Sequence, residues 1–308
     1  MAFDLRYHPV TGLARTKAAG GGGGGYTGPL DIVSGATVAF GQRALSAASR
    51  GSAVYTIRED SGNTTQSFDS DATTGDMSVA AITAFLSGAN GFVTNWADQS
   101  GNGSNVVQAT AANQPAWTAS TTNSKPGLTF ANASVQFLAT AGNVSITDFT
   151  AFAVVLAATF GASANAVFGE NGSDEDGAGY LDGLVLDNAN GLTDLYTDGN
   201  NGESAWLITG IPLSTATYYV FDLVNTFGGS NINANGVATS GRLLDSAPGP
   251  TALAKRLCVG GSDADSISPP DQWFDGNILE LIIYPSVLSD GNRTSIRQNI
   301  ATYYGITL

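Results

Sequence analysis

The C-terminal stretch "GNILELIIYPSVLSDGNRTSIRQNIATYYG", residues 276–305, contains the two periodicities from which the architecture is predicted. Its first part, "ILELIIY", alternates in part between apolar and polar residues, as a half-buried strand does. Its second part places Ile296, Ile300 and Tyr303 on one face of a helix, with Ser289 as the N-cap and a glycine at the stop. A strand followed by an amphipathic helix is therefore predicted at this end of the chain.

Strand-like runs recur along the rest of the chain. They are short, rich in β-branched and aromatic residues, and bounded by Gly, Asn, Asp and Ser. About a dozen can be read, including "ATVAFG", "SAVYTIRED", "GFVTNWADQ", "GLTFANASVQFLA", "FTAFAVVLAAT", "TYYVFDLVNT", "SNINANGVAT" and "KRLCVGGSD". A second helix is predicted in "DMSVAAITAFLSG", residues 76–88. The pattern predicts an all-β chain, a β-sandwich of jelly-roll type with two short helices.

The composition excludes several classes of protein. Only 12% of the 308 residues are charged, 43% are hydrophobic, and the net charge is −14. An acidic chain repels phosphate backbones and anionic lipids, so nucleic-acid and membrane-surface binding are disfavoured. No apolar run reaches the roughly 18 residues of a membrane span, and we expect no secretory signal. One cysteine, Cys258, allows no internal disulfide and is expected in the core.

A glycine run separates a short arm from the rest of the chain. We predict an N-terminal anchoring arm at residues 1–17, a Gly-rich linker at 18–28 and a jelly-roll domain at 29–308. The arm carries more apolar side chains than a solvated tail requires, although an inert disordered tail is the alternative. The residues assigned to anchoring are Phe3, Leu5, Arg6, Tyr7, Arg15 and Lys17.

The polar turn "DQSGNG", residues 98–103, follows a predicted strand. Its short polar side chains and two glycines favour a structural turn in which Asp98 accepts backbone N–H groups. Direct contact between Asp98 and a ligand is the alternative interpretation.

Aromatic and carboxylate side chains are candidates for binding a glycan. Trp206, Glu203 and Asp198 lie close together in the polar stretch "TDGNNGESAW", and Trp273 is a further candidate. Aromatic faces stack on the apolar faces of sugars, and polar groups bond to the hydroxyls. For each tryptophan, including Trp117, packing in the core or at its rim is the alternative.

Metal and nucleophile chemistry is sparsely represented. His8 is the only histidine, so the domain has no Ser–His–Asp or Cys–His site and no histidine metal ligand. The loop "GENGSDEDGAG" contains Glu170, Asp174 and Asp176 among glycines. Such an oxygen-rich loop is a candidate Ca²⁺-binding site, and Ca²⁺ is the only cofactor considered. A solvated acidic loop is the alternative, because the EF-hand spacing is not matched.

Several patches of the chain resemble one family. They are "YTGPLDIV", "SRGSAVYTIRED", "DQSGNGSNVVQATAANQPAW" and the C-terminal "LCVGGSDADS...WFDGNILELIIYPSVLSDGNRTSIRQNIATYYG". Together they resemble the catalytic domain of the α-L-arabinofuranosidase B type of glycoside hydrolase. The resemblance implies a concanavalin A-like, laminin-G-like jelly roll. Similar C-terminal ends occur in bacterial and phage laminin-G-like domains.

The resemblance also implies positions for two catalytic carboxylates. Asp182 stands where the family has its Glu nucleophile. Ser262 stands where the family has its acid/base Asp, and Asp263 follows one residue later. Within a strand, a shift of one residue moves a side chain to the opposite face. No hydrolase activity is therefore expected, and Asp182 and Asp263 are the candidates if the chain is an enzyme.

Three functions remain open. The preferred one is a phage virion structural protein, a head-fibre, decoration or tail-fibre component at the virion surface. Its arm would bind other virion proteins, and its lectin-like domain, alone or as a homo-oligomer, would bind a host surface glycan. The alternatives are a glycoside hydrolase of arabinofuranosidase type and a stand-alone carbohydrate-binding module.

Overall fold

The computed structural model describes residues 25–146, 148–159, 165–171, 183–186, 192–199, 203–215, 217–226, 231–239, 242–243, 253–261 and 273–308. The strands in these ranges are β1 Val38–Gly41, β2 Ala53–Glu59, β3 Thr65–Asp69, β4 Gly91–Trp96, β5 Val106–Val107, β6 Ala116–Thr118, β7 Gly127–Phe130, β8 Leu138–Ile146, β9 Phe149–Ala157, β10 Asn165–Asn171, β11 Gly183–Leu186, β12 Leu192–Gly199, β13 Glu203–Pro212, β14 Tyr219–Asn225, β15 Asn231–Ala234, β16 Val237–Thr239, β17 Arg242–Leu243, β18 Leu253–Val259 and β19 Gly276–Tyr284. The α-helices are α1 Pro29–Ile32, α2 Val79–Leu86 and α3 Asp290–Tyr304, and 3₁₀ turns span Ala47–Ser49, Ala111–Asn113, Thr122–Ser124 and Asn132–Ser134.

The strand pairs form two layers, and all of the pairings are antiparallel. The first layer has the order β1-β19-β9-β14-β15-β16. The second has the order β3-β2-β4-β5-β8-β18-β10-β11-β12-β13-β17. The short strands β6 and β7 connect the layers by pairing β4 with β6, β6 with β7, and β7 with β19. The predicted all-β sandwich is confirmed.

The first layer is buried on both of its faces. In β9, Ala151, Ala153 and Val155 belong to the main core of the sandwich. The alternating residues Phe152 and Val154 belong instead to a second core formed with α3. This is why "FTAFAVVLA" is apolar at every position except Thr150 and does not alternate.

Both predicted helices are present, and α3 has the N-cap and the glycine stop expected from the sequence. The Ser78 hydroxyl accepts the N–H of Ala81 at the start of α2, and the Ser289 hydroxyl accepts the N–H of Asn292 at the start of α3. Gly305 ends α3 with a φ of 64°, the left-handed conformation that glycine adopts without strain. α1 was not anticipated, because its four residues are too few to show a periodicity.

The structure has more strands than the sequence indicates, 19 in all within the described ranges. Some of the strand-like runs contain two strands. The run "SNINANGVAT" holds β15 and β16, joined by Asn235 and Gly236, which both have positive φ. An Asn-Gly pair of this kind makes a two-residue hairpin, a signal that a reading based on composition passes over.

Contacts with the domain begin before residue 29. The Tyr26 hydroxyl donates to the carbonyl of Ala44, and Asn299 Nδ2 donates to the carbonyl of Thr27 at 2.7 Å. At Gly28 a Cβ atom would lie 2.1 Å from a backbone oxygen. Residues 26–28, assigned from the sequence to the linker, therefore lie against the domain. The anchoring residues of the arm lie outside the described residues.

In the part of the chain that the structure describes, no helix is both long and apolar enough to cross a membrane.

Candidate functional site

The Asp98 carboxylate is fully used inside the protein. Its Oδ1 accepts the N–H groups of Ala39 and Ser100, both at 2.9 Å. Its Oδ2 accepts the Ser100 hydroxyl at 2.7 Å and the N–H of Ser104 at 3.0 Å. The carboxylate therefore fastens the turn after β4 to β1, which confirms the structural interpretation of this residue.

The amide side chains of Gln99 and Asn102 also fasten this turn to the chain around β1. Gln99 accepts the N–H of Leu45 and donates to the carbonyl of Arg43, both at 2.8 Å. Asn102 Nδ2 donates to the carbonyl of Thr37 at 2.9 Å. Because these side chains bond to the segment that enters and leaves β1, the "DQSGNG" turn is a clamp between distant parts of the chain.

A cleft of about 490 Å³ lies beside the clamp, between α1 and the loop that follows β1. Its lining includes five serines and the carboxylates of Asp31 and Asp98. Asp31 Oδ2 accepts the N–H groups of Gly28 and Ala47 at 2.9 and 2.8 Å. Among the described residues, no aromatic side chain lines this cleft, so it lacks a stacking surface for a sugar ring.

The β12–β13 hairpin brings three of the glycan candidates together. Its backbone register pairs Asp198 with Ser204, Gly199 with Glu203, and Tyr196 with Trp206. Asp198, Glu203 and Trp206 therefore lie within four pairing positions at one end of a single hairpin. Because successive residues of a strand alternate between its faces, Asp198 and Trp206 fall on one face of the hairpin and Glu203 on the other. A carboxylate and an indole on one face are the groups that bond to sugar hydroxyls and stack on sugar rings.

Trp273 does not join this group and is not exposed. Only 4% of its surface is accessible, and its ring packs 5.4 Å from the ring of Phe137. A Cβ atom at Gly261 would come within 2.5 Å of the Trp273 ring. Trp117 is also buried, at 8%. Both tryptophans contribute to packing, the alternative that their sequence context left open.

The two candidate catalytic residues, Asp182 and Asp263, lie outside the described residues, as does Ser262. Their described neighbours are Gly183 and Gly261. Leu184 and Val259 both pair with Phe168, so Gly183 and Gly261 lie two strands and three residues apart. Strand geometry converts this offset to roughly 14 Å between the backbones.

Two of the three proposed calcium ligands lie outside the described residues. Glu170 is in β10, where its backbone pairs with Leu257, while Asp174 and Asp176 lie outside the described residues. Among the residues that are described, no three His, Cys, Asp or Glu side chains are close enough to share a metal ion.

Two buried ion clusters were not found from the sequence. In the first, Arg43 Nε lies 3.2 Å from Glu280 Oε2, with both side chains at most 3% exposed. Tyr304 donates to the same carboxylate at 3.0 Å, and Arg43 lies over the ring of Tyr303. Burial, assisted by Glu280, raises the pKa of the Tyr304 hydroxyl well above its usual value. The cluster joins the end of β1 to β19 and α3.

The second cluster fastens α3 to the first layer. Asp222 of β14 is fully buried and binds Arg293 and Arg297 of the helix. In each of these bonds the two partners are at least 71 positions apart in the sequence. No local pattern marks such a pairing, although the arginine spacing of one helical turn was a usable signal.

Comparison with known proteins identifies solved structures that have a similar fold. No family model matches the chain, and no curated protein matches it. A crystal structure of an arabinofuranosidase complexed with arabinofuranosyl-α-1,2-xylobiose matches with a TM-score of 0.69 at 18% identity, covering 90% of this chain and 65% of that one. A mutant GH54 α-L-arabinofuranosidase soaked with 4-nitrophenyl α-L-arabinofuranoside matches with a TM-score of 0.68 at 16% identity, covering 90% and 66%.

A further GH54 α-L-arabinofuranosidase structure, soaked with a cyclic sulfate inhibitor, matches equally well, with a TM-score of 0.68. The chain thus spans slightly less than two thirds of the length of these structures. At identities of 16–18% the likeness concerns the fold alone. The protein is a concanavalin A-like jelly-roll β-sandwich with the fold of the GH54 α-L-arabinofuranosidase domain.

Proposed function

We propose that the chain is a carbohydrate-binding domain whose ligand lies at the end of the β12–β13 hairpin. The observation that carries the proposal is the register that places Asp198 and Trp206 on the same face at the end of this hairpin. The fold supports it, because the three solved structures named above hold arabinofuranosides or an arabinofuranosidase inhibitor.

The chemistry of the hairpin end suits a sugar better than the cleft beside the "DQSGNG" turn does. Trp206 supplies a ring for stacking, and the Asp198 carboxylate can accept hydrogen bonds from the hydroxyl groups of a sugar. In the cleft, Asp98 is already saturated by four hydrogen bonds. The hairpin site is expected to bind a sugar with a Kd of about 0.1–1 mM, which corresponds to a binding free energy of roughly 4–5.5 kcal/mol.

A glycan array probed with a multivalent form of the protein tests this proposal. Trp206→Ala should abolish binding, whereas Trp206→Phe, which keeps an aromatic ring, should retain part of it. Val237→Ala and Ser34→Ala are matched controls, since Val237 is exposed and Ser34 lines the cleft. Absence of binding to every glycan, or binding that survives in Trp206→Ala, would contradict the proposal.

Hydrolysis is the second candidate, favoured by the TM-score of 0.69 over 90% of the chain. We expect turnover of 4-nitrophenyl α-L-arabinofuranoside at background, because the family's acid/base position is occupied by Ser262. Measurable turnover that disappears in Asp182→Asn or Asp263→Asn would replace binding with catalysis as the function.

The virion assignment is a proposal from the sequence, and the three related structures are enzymes that do not bear on it. Its test is attachment. Removing residues 1–24 should prevent the protein from joining phage particles and leave glycan binding intact. Normal incorporation of the shortened protein would show that the arm is not the anchor.

A further inference from the structure

A second cleft, of about 320 Å³, lies between α3 and the β15–β16 hairpin. We call it the arginine cleft; it is lined by Asn231, Asn233, Ala238, Asp290, Arg293, Thr294 and Arg297. Both arginines also bind the buried carboxylate behind them: Arg293 Nε donates to Asp222 Oδ1 at 2.6 Å, and Arg297 Nη1 donates to Oδ2. The guanidinium groups are therefore fixed in place before any ligand arrives.

The arginine cleft carries more positive charge than the described residues neutralise. The side chains of Arg293 and Arg297 are only 10% and 13% exposed, and they share a single buried carboxylate. The other acid, Asp290, is 99% exposed and lies 3.5 Å from Arg293 Nη1. An exposed partner contributes little because water screens it. About one cationic charge remains in a nearly buried position, in a chain whose net charge is −14.

One donor of the same cluster is buried and unpaired. Arg297 Nε is buried and has no hydrogen-bond partner among the described residues. Buried donors of charged groups are normally paired, because leaving them unpaired is costly. The polar lining is also suited to hydroxyls, because the Asn233 side chain lies in it and is oriented by the N–H of Gly236, which donates to Asn233 Oδ1 at 2.8 Å.

We propose that the arginine cleft binds a carboxylate, and that the ligand is an acidic sugar. Guanidinium N–H groups form charge-assisted hydrogen bonds with a carboxylate, and the Asn233 and Thr294 side chains can bond to ring hydroxyls. This site uses residues other than those of the β12–β13 hairpin and extends the proposed function to a second class of ligand.

Titration of the full chain with glucuronate, glucose and acetate at low ionic strength tests the proposal. Glucuronate should bind at least tenfold more tightly than glucose, its neutral counterpart. Arg297→Gln should weaken glucuronate binding at least tenfold. Asp290→Asn, which removes the competing rim carboxylate, should strengthen it a few-fold. Ser34→Ala, in the cleft beside the "DQSGNG" turn, should leave it unchanged. Loss of glucuronate binding in Trp206→Ala would place the ligand at the hairpin and overturn the proposal.

The outcomes differ clearly. Should Arg297→Gln unfold, Arg297→Lys and Asp290→Asn still test the charge, since the first keeps it and the second raises it. Acetate binding as tightly as glucuronate would support the carboxylate contacts and overturn the sugar. Equal binding of glucose and glucuronate, or no binding of either acid, would overturn the proposal as a whole.

Discussion

Glu59 lies at the start of the turn between β2 and β3, and the turn is built around its carboxylate. The side chain is 5% exposed and accepts hydrogen bonds from Ser61, Gly62 and Thr64. These bonds, the Ser61 hydroxyl first, lower the pKa of Glu59 from 4.5 to about 2. The ionised form is therefore the form that the fold stabilises.

The pH dependence of stability follows from the sign of this shift. A lowered pKa stabilises the folded state above the ordinary pKa of 4.5 and ceases to do so as the pH falls through about 2. Glu59→Gln should lower the melting temperature at neutral pH, and the gap from the wild type should close between pH about 5 and 2. Gln66→Ala, on the exposed strand β3, is the control. A gap that is the same at every pH would contradict this account.

Asp98 offers a test at neutral pH. Asp98→Ala leaves the N–H groups of Ala39, Ser100 and Ser104 without their acceptor. The free energy of unfolding in urea should fall by roughly 2–4 kcal/mol. Asp148→Ala, at an exposed position, should change it by less than about 0.5 kcal/mol. Similar values for the two variants would show that the clamp contributes little.

At this scale the sequence predicts local bonds and misses distant ones. The role of Asp98 could be inferred because its donors include residues two and six positions away. Glu59 showed the same kind of signal in "EDSGNT" and was not singled out. Arg43 and Glu280 are 237 residues apart, so only the folded chain shows that they pair.

α3 is the element whose ends the sequence determines most clearly. Its N-cap is a single contact, the Ser289 hydroxyl accepting the N–H of Asn292. Ser289→Ala should lower the free energy of unfolding by about 1 kcal/mol. Ser295→Ala, in the exposed interior of the same helix, should be neutral or slightly stabilising. An equal loss in both variants would count against a capping role.

Strand boundaries were harder to predict than helices. Alternation of apolar and polar residues identifies a strand that has one solvent-exposed face. β9 has no such face, because α3 covers its second side. Very short strands such as β5 and β17 have two residues each and show no period at all. The register that places Asp198 and Trp206 on one face needs only a hairpin around "NNG", whereas Glu203, which the sequence grouped with them, falls on the other face.

For the whole molecule, the start of the folded part is the feature most open to experiment. Tyr26 and Thr27 bond to Ala44 and Asn299, and burial raises the pKa of Tyr26 to about 12. A chain lacking residues 1–24 should keep the stability of the full chain. Removing residues 1–28 should lower it by roughly 2 kcal/mol or more, since an aromatic contact and hydrogen bonds are lost. Equal stability of the two truncations would place the start of the domain at residue 29.

The position of β19 has a consequence for how the protein is made. It is the last strand along the chain, yet it lies between β9 on one side and β1 and β7 on the other. While the ribosome is still translating, the apolar strand β9 therefore lacks a neighbour on that side until residue 284 has emerged. Strands joined across such separations pair slowly, and unpaired apolar edges aggregate. Nascent chains stalled before β19 should thus be bound by chaperones. The chaperones should dissociate once β19 has emerged from the ribosome.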